Sequence, residues 1–461
     1  MLITGLVLMA ASVAAQQNTT KVTFSLEECI NYALENNETL RNTQLDKDIA
    51  QARVRETLAD GLPQLNANLE LAYNYKIAVT PLPDFIAPSV YGVLFDEALL
   101  EPRDLGPPDI IPTQFGTDYT GQAVISLEQM LFDGSYFVGL RAARTYTELS
   151  RKDHLKSEID IVEAVSKAYY SLLVNKEQTE LINKNYERLD SLLRDTKGLY
   201  ENGFAEKIEV NRVQVQFNNA KVERDNMDQL IEISKILLKF QMGLPQSSEL
   251  EISETIEDIR FESMEINEND DFDYSQRIEY SQLQTNETLA QLDMKNTQVQ
   301  YYPKVDLFGN FGSSMGAISS GDIFNFDDNW FGLGAIGVRM SVPIFDGFRK
   351  SNIIQQKRLQ VAQINNNKKQ LENNIDLEVR QSSLTYDRSI DNMVAQQENM
   401  KLAEEVYNVA KVKYEEGLGS SLEIINADAD YKEAQTNYYS ALYDALVAKV
   451  ELQKAYGTLY K

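Results

Sequence analysis

Two stretches of this sequence, 214 positions apart (414 minus 200), align without a gap. The first is YENGFAEKIEVNRVQVQ and the second is YEEGLGSSLEIINADAD. The similarity extends over residues 161–243 in the first half and 375–457 in the second. The aligned pairs include Tyr200 with Tyr414, Gly203 with Gly417, and Glu209 with Glu423. Self-similarity at a fixed spacing is the mark of one structural unit used more than once, so the sequence predicts an internal two-fold repeat.

Each copy also carries a helical pattern on both sides of its glycine. Selected positions from Ile161 to Tyr200, and from Ile375 to Tyr414, recur at alternating steps of four and three. This spacing is typical of a coiled coil. A glycine after a helix end favours a left-handed turn. We therefore predict two long helical hairpins, with incoming helices that begin just after Gly134 and Gly347 and outgoing helices at about Lys207–Met242 and Ser421–Tyr456.

A strand pattern precedes each predicted hairpin. Residues 65–79, LNANLELAYNYKIAV, alternate between apolar and polar over a length well above that of an average strand. Length, alternation and aromatic residues together are typical of a membrane β-barrel strand. Further strands are predicted at Tyr119–Phe132, Val305–Phe311 and Trp330–Val342. The loop at 80–117 holds seven of the chain's 11 prolines, and we expect no regular structure there.

Four strands are too few to close a barrel, for which about eight is the minimum. A sheet edge cannot face lipid, because its backbone groups would find no hydrogen-bond partner. The chain is therefore expected to associate with further copies, and three copies of four strands give twelve. The predicted fold class is an α+β membrane protein, in which long coiled-coil hairpins continue the barrel.

Composition excludes several classes of protein. The formal net charge of -26 argues against a nucleic acid partner, since phosphate binding needs a basic surface. A single histidine, His154, and a single cysteine, Cys29, argue against a His-rich metal site and an intrachain disulfide, and no metal or cofactor is expected. Cys29 follows Ser25-Leu-Glu-Glu28, a capping box, and is expected to be a small buried or half-buried residue rather than a reactive thiol. Residues 1–15 read as a secretory signal peptide with cleavage after Ala15.

With these features in this order, the chain resembles the TolC-like outer membrane efflux protein family. The residues that carry the resemblance are SLEECINYALENNETL from Ser25, Pro63 and Pro303 at the joints from helix to strand, LFDG from Leu131, IFDG from Ile344, and the YENG and YEEG turns. The resemblance divides the chain into repeat 1 at 24–243, an acidic linker at 244–275 in a belt around the equator, and repeat 2 at 276–457. It implies a homotrimer with a twelve-stranded barrel in outer membrane lipid and an α-helical barrel in the periplasm.

The function that the resemblance implies is a passive export duct of a tripartite efflux or type I secretion system. Its partners would be a periplasmic adaptor protein and, through the adaptor, an inner-membrane RND or ABC pump. One alternative is a secreted structural coiled-coil scaffold without a pore. An enzyme is not expected, because no nucleophile, base and oxyanion donors gather in the sequence around a recognisable site.

In this family the turns of the helical hairpins form the periplasmic entrance, and acidic side chains narrow it. The matching positions are Glu209, Glu423 and Asn426; the family often has an aspartate at position 426 and a basic residue at 419. Like charges held close resist ionising together and attract cations. The alternative is that the turns are acidic only because the whole chain is.

The positions implied to dock the adaptor are Gly203, Phe204, Gly417, Leu418, Gly419 and Ser420. The alternative for Phe204 and Leu418 is that they pack against the bend.

Overall fold

The computed structural model describes residues 22–256, 259, 261 and 272–460. The predicted signal peptide at 1–15 and much of the predicted linker at 244–275 lie outside the described residues. The fold is mostly helical with some sheet, in agreement with the α+β prediction. The chain divides into two compact units, and we describe each by itself. Within the described residues, none of the helices combines the length and the apolar character needed to cross a membrane.

The first unit is helical and takes its described residues from 22–51, 145–290 and 359–460. Helices that lie wholly or partly in it are α1 (Leu26–Asn36), α2 (Glu38–Ala59), α4 (Gly134–Glu201), α5 (Lys207–Met242), α6 (Ile278–Val299), α7 (Arg349–Glu415) and α8 (Ser421–Ala455). A parallel pair of short strands, β1 (Val22–Phe24) and β6 (Leu250–Ile252), joins the start of the chain to the segment after α5. The bounds of α4, α5, α7 and α8 match the predicted hairpin helices.

Helix α1 begins with the predicted capping box. The Ser25 hydroxyl accepts a hydrogen bond from the Glu28 backbone N–H at 3.2 Å, and the Glu28 carboxylate accepts one from the Ser25 N–H at 2.7 Å. Cys29 follows on the inner face of the helix and is fully buried among Tyr169, Leu173 and other core residues. Burial raises the pKa of the Cys29 thiol to about 12, so it remains protonated and unreactive.

An ionic network joins α4 to α8 beside this core. The Lys454 ammonium lies 3.1 Å from Asp160 and 2.6 Å from Glu163. Lys167 lies 2.8 Å from both Glu163 and Glu451. Burial raises the carboxylate pKa values, but hydrogen bonds from the neighbouring lysines outweigh it and hold the pKa values of Asp160 and Glu163 below their ordinary values. The network therefore stabilises the folded unit most when these carboxylates are ionised.

Lys454→Met is expected to reduce the acid sensitivity of this unit. Because the folded-state pKa values of Asp160 and Glu163 are lowered, their stabilising contribution is present above the unfolded values of 3.8 and 4.5 and is lost as pH falls through the folded values. The side chains are partly exposed, so we expect an effect of about 1 kcal/mol or less. The measurement is the urea midpoint of the helical CD signal at pH 7 and pH 3. Lys235→Met is the control, since Lys235 pairs only with Glu232 on its own helix among the ion pairs of the described residues; equal pH responses of the two variants would contradict the assignment.

The second unit takes its residues from 52–144 and 291–358 and is built on an antiparallel sheet. Its strands are β2 (Gln64–Tyr73), β5 (Tyr119–Phe132), β7 (Lys304–Ala317) and β8 (Trp330–Ser341), paired in the order β2-β5-β7-β8. The outer edges of β2 and β8 pair with no other described strand of the chain. Both connections between hairpin strands, 74–118 and 318–329, leave from the same end of the sheet, opposite the end at which α4 begins.

The register of the four strands places the predicted apolar alternation on one face of the sheet. One row across the strands is Leu65, Leu127, Gly309 and Ile336, and the next row is Asn66, Ser126, Asn310 and Ala335. Leu65, Leu69 and Ile336 of the apolar face are largely exposed. The sheet thus presents an apolar face with no cover in the single chain, which is the arrangement of a strand set made to face lipid.

The connection between β2 and β5 corrects two predictions. The first strand ends at Tyr73 and not at Val79, because the chain turns after Asn74, whose side-chain amide donates to the Thr117 carbonyl at 2.9 Å. The region 80–117 is also not without regular structure. It contains a strand pair, β3 (Val79–Pro83) with β4 (Ile110–Gln114), and a helix, α3 (Ile86–Asp96).

Four prolines of this segment, Pro81, Pro83, Pro88 and Pro112, occupy positions where the missing N–H removes no hydrogen bond of the strand pair or the helix. The Asp84 N–H donates to the Asp109 carbonyl at 2.7 Å, which makes that pair hydrogen-bonded. Hydrogen-bonded and non-hydrogen-bonded pairs alternate in an antiparallel ladder, so the pairs Pro83–Ile110 and Pro81–Pro112 are of the second kind. Pro88 lies in the first turn of α3, where backbone N–H groups have no helical partner. The prediction that residues 80–117 have no regular structure rested on proline content alone, and it was wrong for this reason.

Candidate functional site

The turn between α4 and α5 is held by backbone hydrogen bonds around a left-handed glycine. Gly203 has φ of 76°. Its N–H donates to the Tyr200 carbonyl at 3.0 Å, and the Phe204 N–H donates to the Leu199 carbonyl at 2.8 Å. These two bonds form a Schellman motif, which satisfies the last carbonyls of the helix. A Cβ at position 203 would be strained at this φ, so the glycine is required by the turn.

The turn between α7 and α8 has the same construction. Gly417 has φ of 72°, its N–H donates to the Tyr414 carbonyl at 3.0 Å, and the Leu418 N–H donates to the Lys413 carbonyl at 2.8 Å. Gly419 adds a further bond to the same Lys413 carbonyl at 2.9 Å. A Cβ on Gly419 would lie 3.1 Å from the Lys413 Cβ, so this position is tight as well.

The residues after each glycine, Phe204 and Leu418, project away from the turns. A Schellman motif often includes an apolar contact between this position and the last turn of the helix. Here the two residues remain 82% and 83% exposed. The alternative in which they pack against the bend has no support in this geometry. Each turn thus presents one large apolar side chain to its surroundings.

Glu423 lies in the first turn of α8 and faces a cation. The Ser420 hydroxyl caps the helix by accepting from the Glu423 N–H at 3.2 Å. The Glu423 carboxylate lies 3.2 Å from the Lys413 ammonium of α7, and both side chains are about half exposed. Lys413, which no sequence pattern singled out, partly balances the acidic charge at this turn.

The other predicted aperture residues lie near the starts of the outgoing helices. Glu209 is half-buried in the first turn of α5, and Asn426 is exposed one turn beyond Glu423 on α8. Glu423 and Asn426 share one face of α8 because they are three residues apart. Glu209 lies on a different hairpin, so a shared ring of Glu209 and Glu423 remains a prediction.

A buried tie between the two hairpins lies behind the turns. The Arg188 guanidinium of α4 forms an ion pair and hydrogen bond with the Asp428 carboxylate of α8. The same guanidinium lies 4.3 Å from the ring centre of Tyr407 on α7, and Tyr407 stacks on Tyr431 at 6.1 Å. Asp428, Tyr407 and Tyr431 are all buried. We call these four residues the hairpin tie.

The Asp428 carboxyl is buried beside the Arg188 guanidinium. Burial raises the pKa of this carboxyl, and the attraction of Arg188 only partly offsets the rise. The ionised carboxylate is therefore costly in this position unless the guanidinium stays in place. Local patterns in the sequence do not indicate the tie, because Arg188 and Asp428 are 240 residues apart. The flanking alanines in NADAD were the available signal that Asp428 lies on a packed face.

Within the described residues, no group of three or more His, Cys, Asp or Glu side chains is arranged to hold a metal ion. The geometry of the turns offers hydrogen bonds, charge and apolar contact, which are the means of binding and of gating.

The sequence model of the family described as outer membrane efflux protein matches residues 29–243 and 276–458. The chain belongs to the outer membrane efflux protein family. The outer membrane protein TolC of Vibrio cholerae serotype O1 is 20% identical over 439 residues, which cover 94% of this chain and 91% of TolC. Resemblance to the TolC-like channels, first indicated by the two turns and the strand patterns, is confirmed.

Solved structures of this efflux family share the fold. The outer membrane protein VceC from Vibrio cholerae superposes with a TM-score of 0.67 at 16% identity, covering 94% of this chain and 96% of VceC. The open state of the Neisseria gonorrhoeae MtrE outer membrane channel gives 0.69 at 14% identity, covering 94% of this chain and 88% of MtrE. At these identities the likeness concerns the fold alone.

Proposed function

We propose that this efflux-family chain is one subunit of a homotrimeric export duct in the outer membrane. Each copy contributes four strands to a twelve-stranded barrel, and the two helical hairpins of each copy, related by an internal two-fold repeat, build a tunnel in the periplasm. The duct is passive and not an enzyme. It acts with a periplasmic adaptor and an inner-membrane RND or ABC pump in a tripartite efflux or type I secretion system.

The observation that carries the proposal is the four-stranded sheet, which has one exposed apolar face and two edges that no other described strand pairs with. Such edges cannot be left open in lipid, because each unpaired backbone group costs several kcal/mol there. If β8 of one copy pairs with β2 of the next, the backbone groups at both edges find hydrogen-bond partners through one kind of contact. Rotation by a third of a turn closes the ring with twelve strands.

The helices support the same assembly. Leu402, Val406 and Val409 of α7 recur at steps of four and three, and all three are more than half exposed in the single chain. Val215 and Val222 of α5 are seven residues apart and equally exposed. Exposed heptad stripes of this kind bury themselves against a second helix. Neighbouring copies supply those helices in the proposed tunnel.

The assembly is tested by native mass spectrometry of the detergent-solubilised protein and by conductance in planar lipid bilayers. We expect a mass of three times 52.4 kDa, less any signal peptide that is removed, and stable single channels. A folded monomer without conductance would favour the secreted coiled-coil scaffold, which the exposed apolar face of the sheet argues against.

Glu423→Gln is expected to lower the cation preference of the channel. Three copies of Glu423 would surround one axis at the entrance, and the substitution leaves Lys413 without its partner there, so the local charge becomes positive. The measurement is the reversal potential in a salt gradient. Glu415→Gln is the matched control, since it removes one charge from the same turn region, where Glu415 lies 3.8 Å from Lys411. An unchanged reversal potential for Glu423→Gln would place the constriction elsewhere.

Leu418→Ser is expected to weaken adaptor binding at least tenfold and to leave the trimer intact. Leu418 is 83% exposed, so removal of its side chain costs the fold little, whereas an apolar side chain buried on docking contributes about 1.5–3 kcal/mol. Phe204→Ser tests the first turn in the same way. The measurement is the affinity for the cognate adaptor by biolayer interferometry. Leu359→Ser is the control, because Leu359 is 60% exposed and lies near the start of α7, far along the helix from the turn.

A further inference from the structure

The connection between β2 and β5 forms a folded excursion that presents an apolar helix. The strand pair β3–β4 forms its base, and Asp84 caps α3 by accepting from the backbone N–H groups of Ile86 and Ala87 at 3.0 and 2.9 Å. The Arg103 guanidinium lies 5.4 Å from the ring centre of Tyr91, which packs the return segment on the helix. The excursion is thus an ordered element.

One side of α3 is an apolar stripe without cover in the single chain. Ile86, Val90 and Val93 are spaced at i, i+4 and i+7, which places them on one face of the helix, and they are 56%, 51% and 62% exposed. Helix α3 contains no fully buried residue. Three aliphatic side chains in a row at this exposure are more than a folded helix leaves in water without a partner.

The position and charge of the excursion indicate what covers the stripe. It leaves directly from β2, whose outer edge is unpaired and is the edge that a neighbouring copy meets in the proposed trimer. Residues 85–95, FIAPSVYGVLF, carry no charge in a chain whose net charge is -26. An uncharged segment is where copies of so acidic a chain approach one another without repulsion. The excursion also lies at the sheet end opposite the start of α4, where the barrel would open outward.

We propose that the stripe Ile86–Val90–Val93 packs against the same stripe of the neighbouring copies, so that three α3 helices form an apolar cap over the outer mouth of the duct. The occupant of the stripe is a second copy of this chain. The cap narrows the exit and limits the size of solute that passes. This inference rests on the proposed trimer and adds to it a constriction at the end of the sheet opposite the start of α4.

The test is disulfide cross-linking in the native trimer. Cys29 is buried and is not available for cross-linking, so any disulfide between subunits forms through the introduced cysteine. We expect Val90→Cys to form dimers of subunits on mild oxidation. Gly92→Cys is the control, because position 92 lies about 120° round the helix from the centre of the stripe and an added Cβ there meets nothing within 4 Å. We expect its cross-linking to be at least fivefold lower.

A second variant tests the cap by its effect on channel conductance. Val90→Asp places three like charges in the cap and is expected to raise single-channel conductance at least twofold, with the trimer intact. Failure of native mass spectrometry to detect a trimer would remove the proposed function itself. An intact trimer with no cross-link, or with equal cross-links at positions 90 and 92, would overturn only the cap. Quenching by brominated lipids of a fluorophore attached through Val90→Cys would overturn it in favour of a membrane surface.

Discussion

Gly312→Val is expected to abolish assembly of the trimer. Gly312 lies in β7, and a Cβ there would collide with the Ala123 carbonyl oxygen and lie 2.7 Å from the Val124 Cα, both backbone atoms of β5. Backbone atoms cannot rotate away as a side chain does, so the two central strands must separate. We expect a loss of folding free energy larger than the ~1–3 kcal/mol that is typical of an overpacked core. The measurement is the yield of trimer in the outer membrane fraction by native electrophoresis.

Gly309→Val is the matched control for this prediction. Gly309 lies in the same inner strand β7, and a Cβ there meets the Phe311 side chain at 3.4 Å and other atoms only at 3.9 Å, which are ordinary van der Waals contacts. The two variants carry the same change in one strand, so they differ in the space available. Wild-type yield of trimer for Gly312→Val would show that β5 and β7 are not paired in this register.

Arg188→Ala is expected to loosen the two hairpins near their turns. The substitution leaves the buried Asp428 carboxylate without its cation, a change that typically costs about 3–5 kcal/mol. It also removes the guanidinium that lies between α4 and the Tyr407 ring. We expect a lower urea midpoint and, in bilayers, a higher conductance, since the tie holds the second hairpin to the first.

Two further variants separate the tie from a general loss of packing. Asp428→Asn in the Arg188→Ala background removes the unpaired charge and is expected to restore most of the stability. Arg224→Ala is the control, because Arg224 lies 4.3 Å from the Tyr186 ring with a partly exposed partner, Asp225, inside a single hairpin. Equal conductance of Arg224→Ala and Arg188→Ala would contradict a role for the hairpin tie in restraining the entrance.

The helices and the sheet could be predicted from the sequence because local signals agree there. The glycines at 203 and 417 mark the turns, and the observed bounds Lys207–Met242 and Tyr119–Phe132 coincide with the predicted ones. Period-two alternation in the strands is a direct consequence of side chains pointing to opposite faces. The observed register then places the apolar sets of all four strands on one face, as the alternation requires.

The remaining features depend on partners that local patterns do not reveal. The β3–β4 pair forms between residues about 30 positions apart, and its prolines are tolerated only because of their positions in the ladder. The Lys413–Glu423 pair and the hairpin tie arise from helices brought together by tertiary packing. The residue types predicted a charged turn between α7 and α8. Which residues pair with each other could be seen only in the structure.

The construction of the two turns has a consequence for how such a protein changes over time. Main-chain bonds and a single left-handed glycine hold each turn, so the displayed side chains take no part in bending the chain. With the docking role proposed for these turns, we expect a substitution at position 204 or 418 to alter recognition of the partner and to leave the backbone of the turn unchanged. Such a protein is then expected to acquire new partners by exchange of individual residues, while the scaffold beneath stays constant.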